Sequence, residues 1–246
     1  MLKYRREITI VVLFILLSVV LHFLHYAIFH DIHHLLIYGL GDLAFLPLEV
    51  LIVTVILHRL LEWRDKKALS SKKNILIGCF FSELGVIILR YVSQMDKQKS
   101  QVKDKLTITN QPRKKEFKQA LKFLESYKPD LAVGNNEIKL LKTIILPKRG
   151  FLSDLIQHPV LIEHKSFTDL LLATFHLAEE LSYRKDSDVF SDKDLDHLKI
   201  DIARVYERLL PEWIEYISNL KNNYPYLFSL YLRLNPFVKE VNVTVS

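Results

Sequence analysis

Two long apolar runs stand near the N-terminus, residues 8–29 (ITIVVLFILLSVVLHFLHYAIF) and residues 35–61, with only the histidine-rich stretch 29–34 between them. A helix needs about 20 apolar residues to cross the hydrocarbon core of a bilayer, and both runs reach that length. A chain in lipid must also satisfy its own backbone hydrogen bonds, so the simple expectation is a membrane-spanning helical hairpin. The first run exceeds the roughly 7–15 residues of a signal-peptide core and no small-x-small cleavage site follows, so it is expected to remain in the mature protein.

Charge sets the expected topology. Lys3, Arg5 and Arg6 precede the first run, and Arg59, Arg64, Lys66, Lys67, Lys72 and Lys73 follow or close the second, whereas 29–34 carries neither Lys nor Arg. Positive residues stay inside, which places both termini in the cytoplasm of a multi-pass cell-membrane protein. The single cysteine, Cys79, excludes an internal disulfide and suits a reducing compartment. The net charge of +6 is explained by lysines near anionic headgroups. No recognition motif or interleaved aromatics accompany that charge, so nucleic acid is not an expected partner.

The chain therefore reads as all-α, a transmembrane hairpin over 1–62 followed by a cytoplasmic helical bundle. Between them, 63–112 reads as a membrane-proximal helix (74–92) and a polar linker. The 74–92 segment carries Glu83 and Arg90 on one stripe, which favours a buried or membrane-surface helix over a third span. From 113 to 246 the periodicity predicts helices over 114–127, 136–146, 151–157, 167–184 and 192–222. Ser166 with Asp169, and Ser191 with Asp194, have the spacing of helix N-caps. In the longest helix Leu195, Leu198, Ile202, Val205, Leu209, Trp213, Tyr216 and Leu220 form a seam that another helix must cover, from this chain or from a second copy in a homo-oligomer. Pro211 is expected to bend or divide that helix. The aromatic segment from Tyr224 to Phe237 needs burial against the bundle, a protein partner or the bilayer, and its helix should stop before Pro236. Residues 238–246 alternate apolar and polar, as a short strand or a loose tail would.

The segments HDIHHLLIYGLGDLAFLPLEVL, NILIGCFFSELG and YPYLFSLYLRLNPF resemble those of a group of functionally uncharacterised prokaryotic two-span membrane proteins. That resemblance covers much of the chain and implies architecture; no activity comes with it.

Ionisable groups within a span are costly and commonly functional. Asp42 and Glu49 are seven residues apart and share a helix face, while His22 and His25 lie toward the outer end of the first helix. Across a tight hairpin these could pair, either as hydrogen-bonded clasps or, in an oligomer, with the carboxylates lining a polar path. His30, His33 and His34, with His22 and His25, could instead hold a divalent metal at the outer face, since neutral imidazole suits Zn, Cu, Ni or Fe. In the C-terminal part His176 and Glu180, and His197 and Asp201, are each four apart, so two helices could chelate a metal between them. Ordinary ion pairing with Glu179, Arg184 and Arg204 is the plainer reading of that spacing. No phosphate-binding glycine loop, nucleophile elbow or cysteine metal motif is present, so catalysis is not expected. A self-associating pore or sensor is the favoured function, with a histidine-based metal carrier or enzyme, or a membrane-anchored scaffold, as alternatives.

Overall fold

The computed structural model describes residues 2–109, 111–185 and 189–237, so the expectation for 238–246 lies outside the described residues. The chain divides after Lys66 into two compact units.

In the first unit, α1 (Leu2–Phe29) ends where His30 takes a left-handed conformation, φ 50°. The His30 N–H still donates to the Tyr26 carbonyl at 2.9 Å, closing the last turn of α1. Asp31 Oδ1 then accepts from the His34 N–H at 3.0 Å, which caps the start of α2 (Ile32–Phe80). α1 and α2 are each long and apolar enough to cross a membrane by length and composition. Over residues 8–66 every described side chain except His25 is exposed.

The sequence suggests a break after residue 61, yet α2 runs on to Phe80. The reason is composition: no glycine or proline stands between Pro47 and Gly78. A π-helical turn (Phe81–Gly85) then leads into α3 (Val86–Met95). This stretch belongs to the core of the second unit, where Phe80, Phe81, Leu84, Ile88 and Leu89 are fully buried. Its two charges are partnered there: Glu83 accepts from Lys148 Nζ at 2.6 Å, and Arg90 Nη2 donates to the Leu234 carbonyl at 3.0 Å. Gly85 is needed for the packing, because a Cβ at this position would stand 2.7 Å from Phe81 and 2.8 Å from Phe80.

The expected polar linker also folds. α4 (Lys99–Leu106) turns Val102 and Leu106 inward, and Ile108 follows them into the core. Then come α5 (Lys114–Ser126), α6 (Asn135–Ile145), α7 (Arg149–Ile156), the single turn α8 (Pro159–Ile162), α9 (Lys165–Ser182), α10 (Asp192–Asn223) and α11 (Pro225–Arg233). Among the described residues the only extended pairing is one antiparallel bridge between Asp96 and Leu131.

α10 is the axis of this unit. Its predicted seam from Leu198 to Leu220 is buried, and Tyr206, Leu210, Ile214 and Ile217 are buried as well, so the helix is enclosed on most sides. The cover comes from this chain: α9, α5, α11 and α3 all pack on α10. Pro211 leaves the helix unbroken, with Leu209, Leu210, Glu212 and Trp213 buried on either side to hold it. The aromatic segment is likewise satisfied internally. Phe228, Tyr231 and Phe237 are buried, and among the described residues only Tyr226 of its large apolar groups is strongly exposed. Phe81 stacks on Tyr216 at 4.8 Å and meets Trp213 edge-on at 5.4 Å, and Tyr231 closes on both Trp213 (5.8 Å) and Tyr216 (5.3 Å). The Tyr231 hydroxyl is tied back to Ser82 Oγ at 2.6 Å.

Candidate metal centre

α9 and α10 make the broadest helix contact in the molecule. Residues i and i+4 share a face of each, which puts His176 and Glu180 on α9 opposite His197 and Asp201 on α10. Local signals fix where the two helices lie. The Ser191 hydroxyl accepts from the Asp194 N–H at 3.3 Å and starts α10 as its spacing suggests. α9 is capped two residues earlier than expected, by the His164 ring accepting from the Phe167 N–H at 3.4 Å, so Ser166 falls inside the first turn. Arg184 then bridges the helices, donating to Glu180 Oε2 and to Asp194 Oδ1, each at 2.7 Å. That guanidinium is the main reason the Glu180 carboxyl stays below the usual carboxylate range, with the two histidines adding to the effect.

The four side chains form a run of close contacts, from His176 through Asp201 and His197 to Glu180. Asp201 is 2% exposed; Arg204 donates to its Oδ1, while its Oδ2 is buried with no hydrogen bond. Nε2 of His197 lies 3.4 Å and Nε2 of His176 lies 3.6 Å from that same Oδ2, and His197 Nε2 is also 3.6 Å from Glu180 Oε2. These separations are too long for charge-assisted hydrogen bonds, which run about 2.7–2.9 Å. Each one alone is near the edge of a coordination tetrahedron, about 3.3–3.4 Å when metal–ligand bonds are about 2.0–2.1 Å, but no three of the four donors lie mutually within 4.8 Å, so holding an ion requires these side chains to draw together. Both imidazoles are half exposed, so an ion has a route in from solvent. Arg204 on Oδ1 orients the carboxylate and leaves Oδ2 free, the part that outer hydrogen bonds play around metal ligands. Glu180 Oε2 is shared with Arg184 and is therefore the weakest of the four donors.

The residues singled out in the first unit are placed differently. Asp42 and Glu49 are exposed, and among the described residues neither has an ion-pair partner on α1. His22 bonds within its own helix, its Nδ1 lying 2.9 Å from the Ser18 carbonyl, and the His25 ring packs on Phe29 at 4.9 Å. Among the described residues no hydrogen bond or ion pair joins His22 or His25 to Asp42 or Glu49. His30, His33 and His34 do not converge either. His30 sits at the left-handed junction, and His33 and His34 are neighbours on α2, where successive side chains point about 100° apart.

A second cluster escapes the sequence. His164, Glu212 and Glu215 bring ligand atoms within 4.8 Å of one another. They line a cavity of about 150 Å³ with Ser70, Lys73, Asn74 and Asn219. Glu212, 4% exposed, is pushed up to about 7 mainly by burial, with the Ser166 hydrogen bond opposing and Glu215 adding to the rise. The signal in the sequence is a glutamate in the middle of an otherwise apolar stripe, directly after Pro211. A carboxyl raised in the folded state holds its proton longer there than in the unfolded chain, so folding is favoured at low pH. In chelator, stability should fall by roughly 3 kcal/mol as pH rises from below about 4.5 to above about 7. Glu212→Gln should flatten that decline in denaturant titrations at pH 5 and pH 8; an unchanged slope would show that Glu212 ionises freely.

Residues 69–233 match the family described as "Uncharacterized protein MJ1433, C-terminal helical domain", and residues 2–61 match "MJ1433, N-terminal helical domain". The chain belongs to the MJ1433 family. It is 39% identical over 233 residues to "Uncharacterized protein MJ1433" of Methanocaldococcus jannaschii, covering 95% of this chain and 94% of that protein. No solved structure matches. Both side-chain clusters lie within the MJ1433 C-terminal helical domain, and Asp42 and Glu49 lie within the N-terminal one.

Proposed function

We propose that this MJ1433-family protein is anchored in the membrane by α1 and the 35–61 part of α2, and that its cytoplasmic helical domain binds a zinc-class ion through His176, His197, Asp201 and Glu180. The observation that carries the metal reading is the approach of two imidazole nitrogens to one buried, otherwise unbonded carboxylate oxygen. A mixed nitrogen and oxygen donor set suits Zn and its neighbours. Four protein donors leave no open position for substrate, so the chemistry is that of a structural or sensing ion rather than a catalytic one. Binding would fasten α9 to α10 with a fixed tie, which makes ion availability the signal read by the domain. Zinc content of the full chain purified in detergent, near one per chain and lost on mutation of the histidines, is the test; a metal-free protein that also takes up no added zinc would end this reading.

The membrane reading is supported by the exposed apolar side chains that run through 8–61, far more than water tolerates in one surface. Cys79 tests the topology, since it is the sole cysteine and is exposed. In intact cells a membrane-impermeant maleimide should leave Cys79 unlabelled and should label it fully after permeabilisation; labelling in intact cells would invert the topology.

A second reading, a self-associating pore, is favoured by Asp42 and Glu49, which stand exposed on an apolar helix with no ion-pair partner among the described residues. Asp42→Asn with Glu49→Gln should then alter ion flux in liposomes while leaving assembly intact; unchanged flux would remove the pore.

A further inference from the structure

The cavity beside the start of α9 offers a donor set of its own. His164 is the residue that caps α9, and its ring gives up the long 3.4 Å contact from the Phe167 N–H when it presents its nitrogen lone pair to a cation; Glu212 and Glu215 are one turn apart on α10, and Asn219 follows one turn later. Asn219 Oδ1 is buried and has no hydrogen-bond partner, although it borders the same cavity. An orphaned buried acceptor is costly, and a cation or an ordered water held by one is the usual remedy. The ligand atoms of His164, Glu212 and Glu215 lie within 4.8 Å of one another, a span that six-coordinate bonds of about 2.1–2.4 Å can bridge. The volume of about 150 Å³ leaves room for an ion with some of its waters.

We propose that His164, Glu212, Glu215 and Asn219 form a second divalent-cation site, for an oxygen-preferring, six-coordinate ion of the manganese class. It is separate from the His176, Glu180, His197 and Asp201 cluster in residues and in character. Three oxygens and one imidazole favour the harder ion, whereas the other cluster offers two imidazoles beside one carboxylate oxygen. Lys73 borders the cavity and its positive charge acts on Glu212, so in the ion-free state it supplies the balancing charge. Its flexible stem lets it withdraw toward solvent when the cation enters.

The test is Mn(II) titration of the full chain in detergent, first stripped of metal with a chelator that is then removed, followed by the loss of the free Mn(II) signal in electron paramagnetic resonance. One Mn(II) should bind per chain. The double variant Glu212→Gln, Glu215→Gln should weaken that binding at least tenfold with unchanged near-ultraviolet circular dichroism, and His164→Gln should weaken it as well. His176→Ala with His197→Ala should leave Mn(II) binding intact, so failure of the zinc reading is seen separately from failure of this one. Wild-type protein that binds no Mn(II), or a Glu212→Gln, Glu215→Gln variant that binds it as tightly as wild type, would overturn the site.

Discussion

His197→Ala is expected to lower zinc affinity by at least about 100-fold, more than the 10–100-fold that loss of an outer hydrogen-bond partner costs a metal site. The His197 ring is the hub of the cluster, because its Nε2 faces both Asp201 Oδ2 and Glu180 Oε2. Asp201→Asn should have an effect of the same size. It keeps the side-chain volume but removes the negative charge that the ion needs, and it leaves Arg204 without its anionic partner. Glu180→Gln should cost only about tenfold, since Arg184 already competes for Oε2. Competition titrations of the detergent-purified full chain against a chromophoric chelator read all three. Equal affinities for wild type and His197→Ala would show that the cluster is a network of ordinary ion pairs.

Phe81→Ala should destabilise the C-terminal unit by about 3–5 kcal/mol, the range for emptying a fully buried aromatic site. Phe81 has no exposed surface and touches Phe80, Trp213 and Tyr216 at once, so the cavity left behind would border three rings. The π-helical turn that places it is held by those same contacts, and loss of the ring would remove the reason for the turn's irregular geometry. Denaturant unfolding followed through the fluorescence of Trp213, in a Trp63→Phe background, gives the measurement. A change below about 1 kcal/mol would mean that the aromatic cluster around Phe81 is not the centre of this core.

The regular helices of the C-terminal unit are legible in the sequence to within two or three residues, because each carries an apolar stripe of helical period bounded by a clear stop. Lys114–Ser126 and Asp192–Asn223 are the plainest cases, the second with a serine cap at its start. α4 is hidden because Val102 and Leu106 are its sole core residues on a strongly polar background, and only the neighbours they meet reveal them. The uninterrupted run of α2 through residues 62–80 is hidden by its charge, since Lys and Arg are good helix formers but resemble a membrane-flanking loop. The π-helical turn leaves no signature in periodicity at all.

The site divides in the same way. Spacing alone pairs His176 with Glu180 and His197 with Asp201, because i and i+4 share a face whatever the fold. Their convergence on Asp201 Oδ2 depends on the contact between α9 and α10, which no local pattern encodes. His164 and Glu212 are 48 positions apart, and nothing but tertiary packing links them. In the N-terminal unit, pairing of His22 and His25 with Asp42 and Glu49 follows from hairpin spacing, and among the described residues no such pair is seen.

X-ray absorption at the zinc edge of the loaded, full-length protein tests the metal centre most directly. The account predicts a first shell of nitrogen and oxygen at about 2.0–2.1 Å, with the outer-shell scattering of two imidazole rings that disappears in His176→Ala with His197→Ala. A first shell of oxygen alone, or imidazole scattering that survives in that double variant, would contradict it.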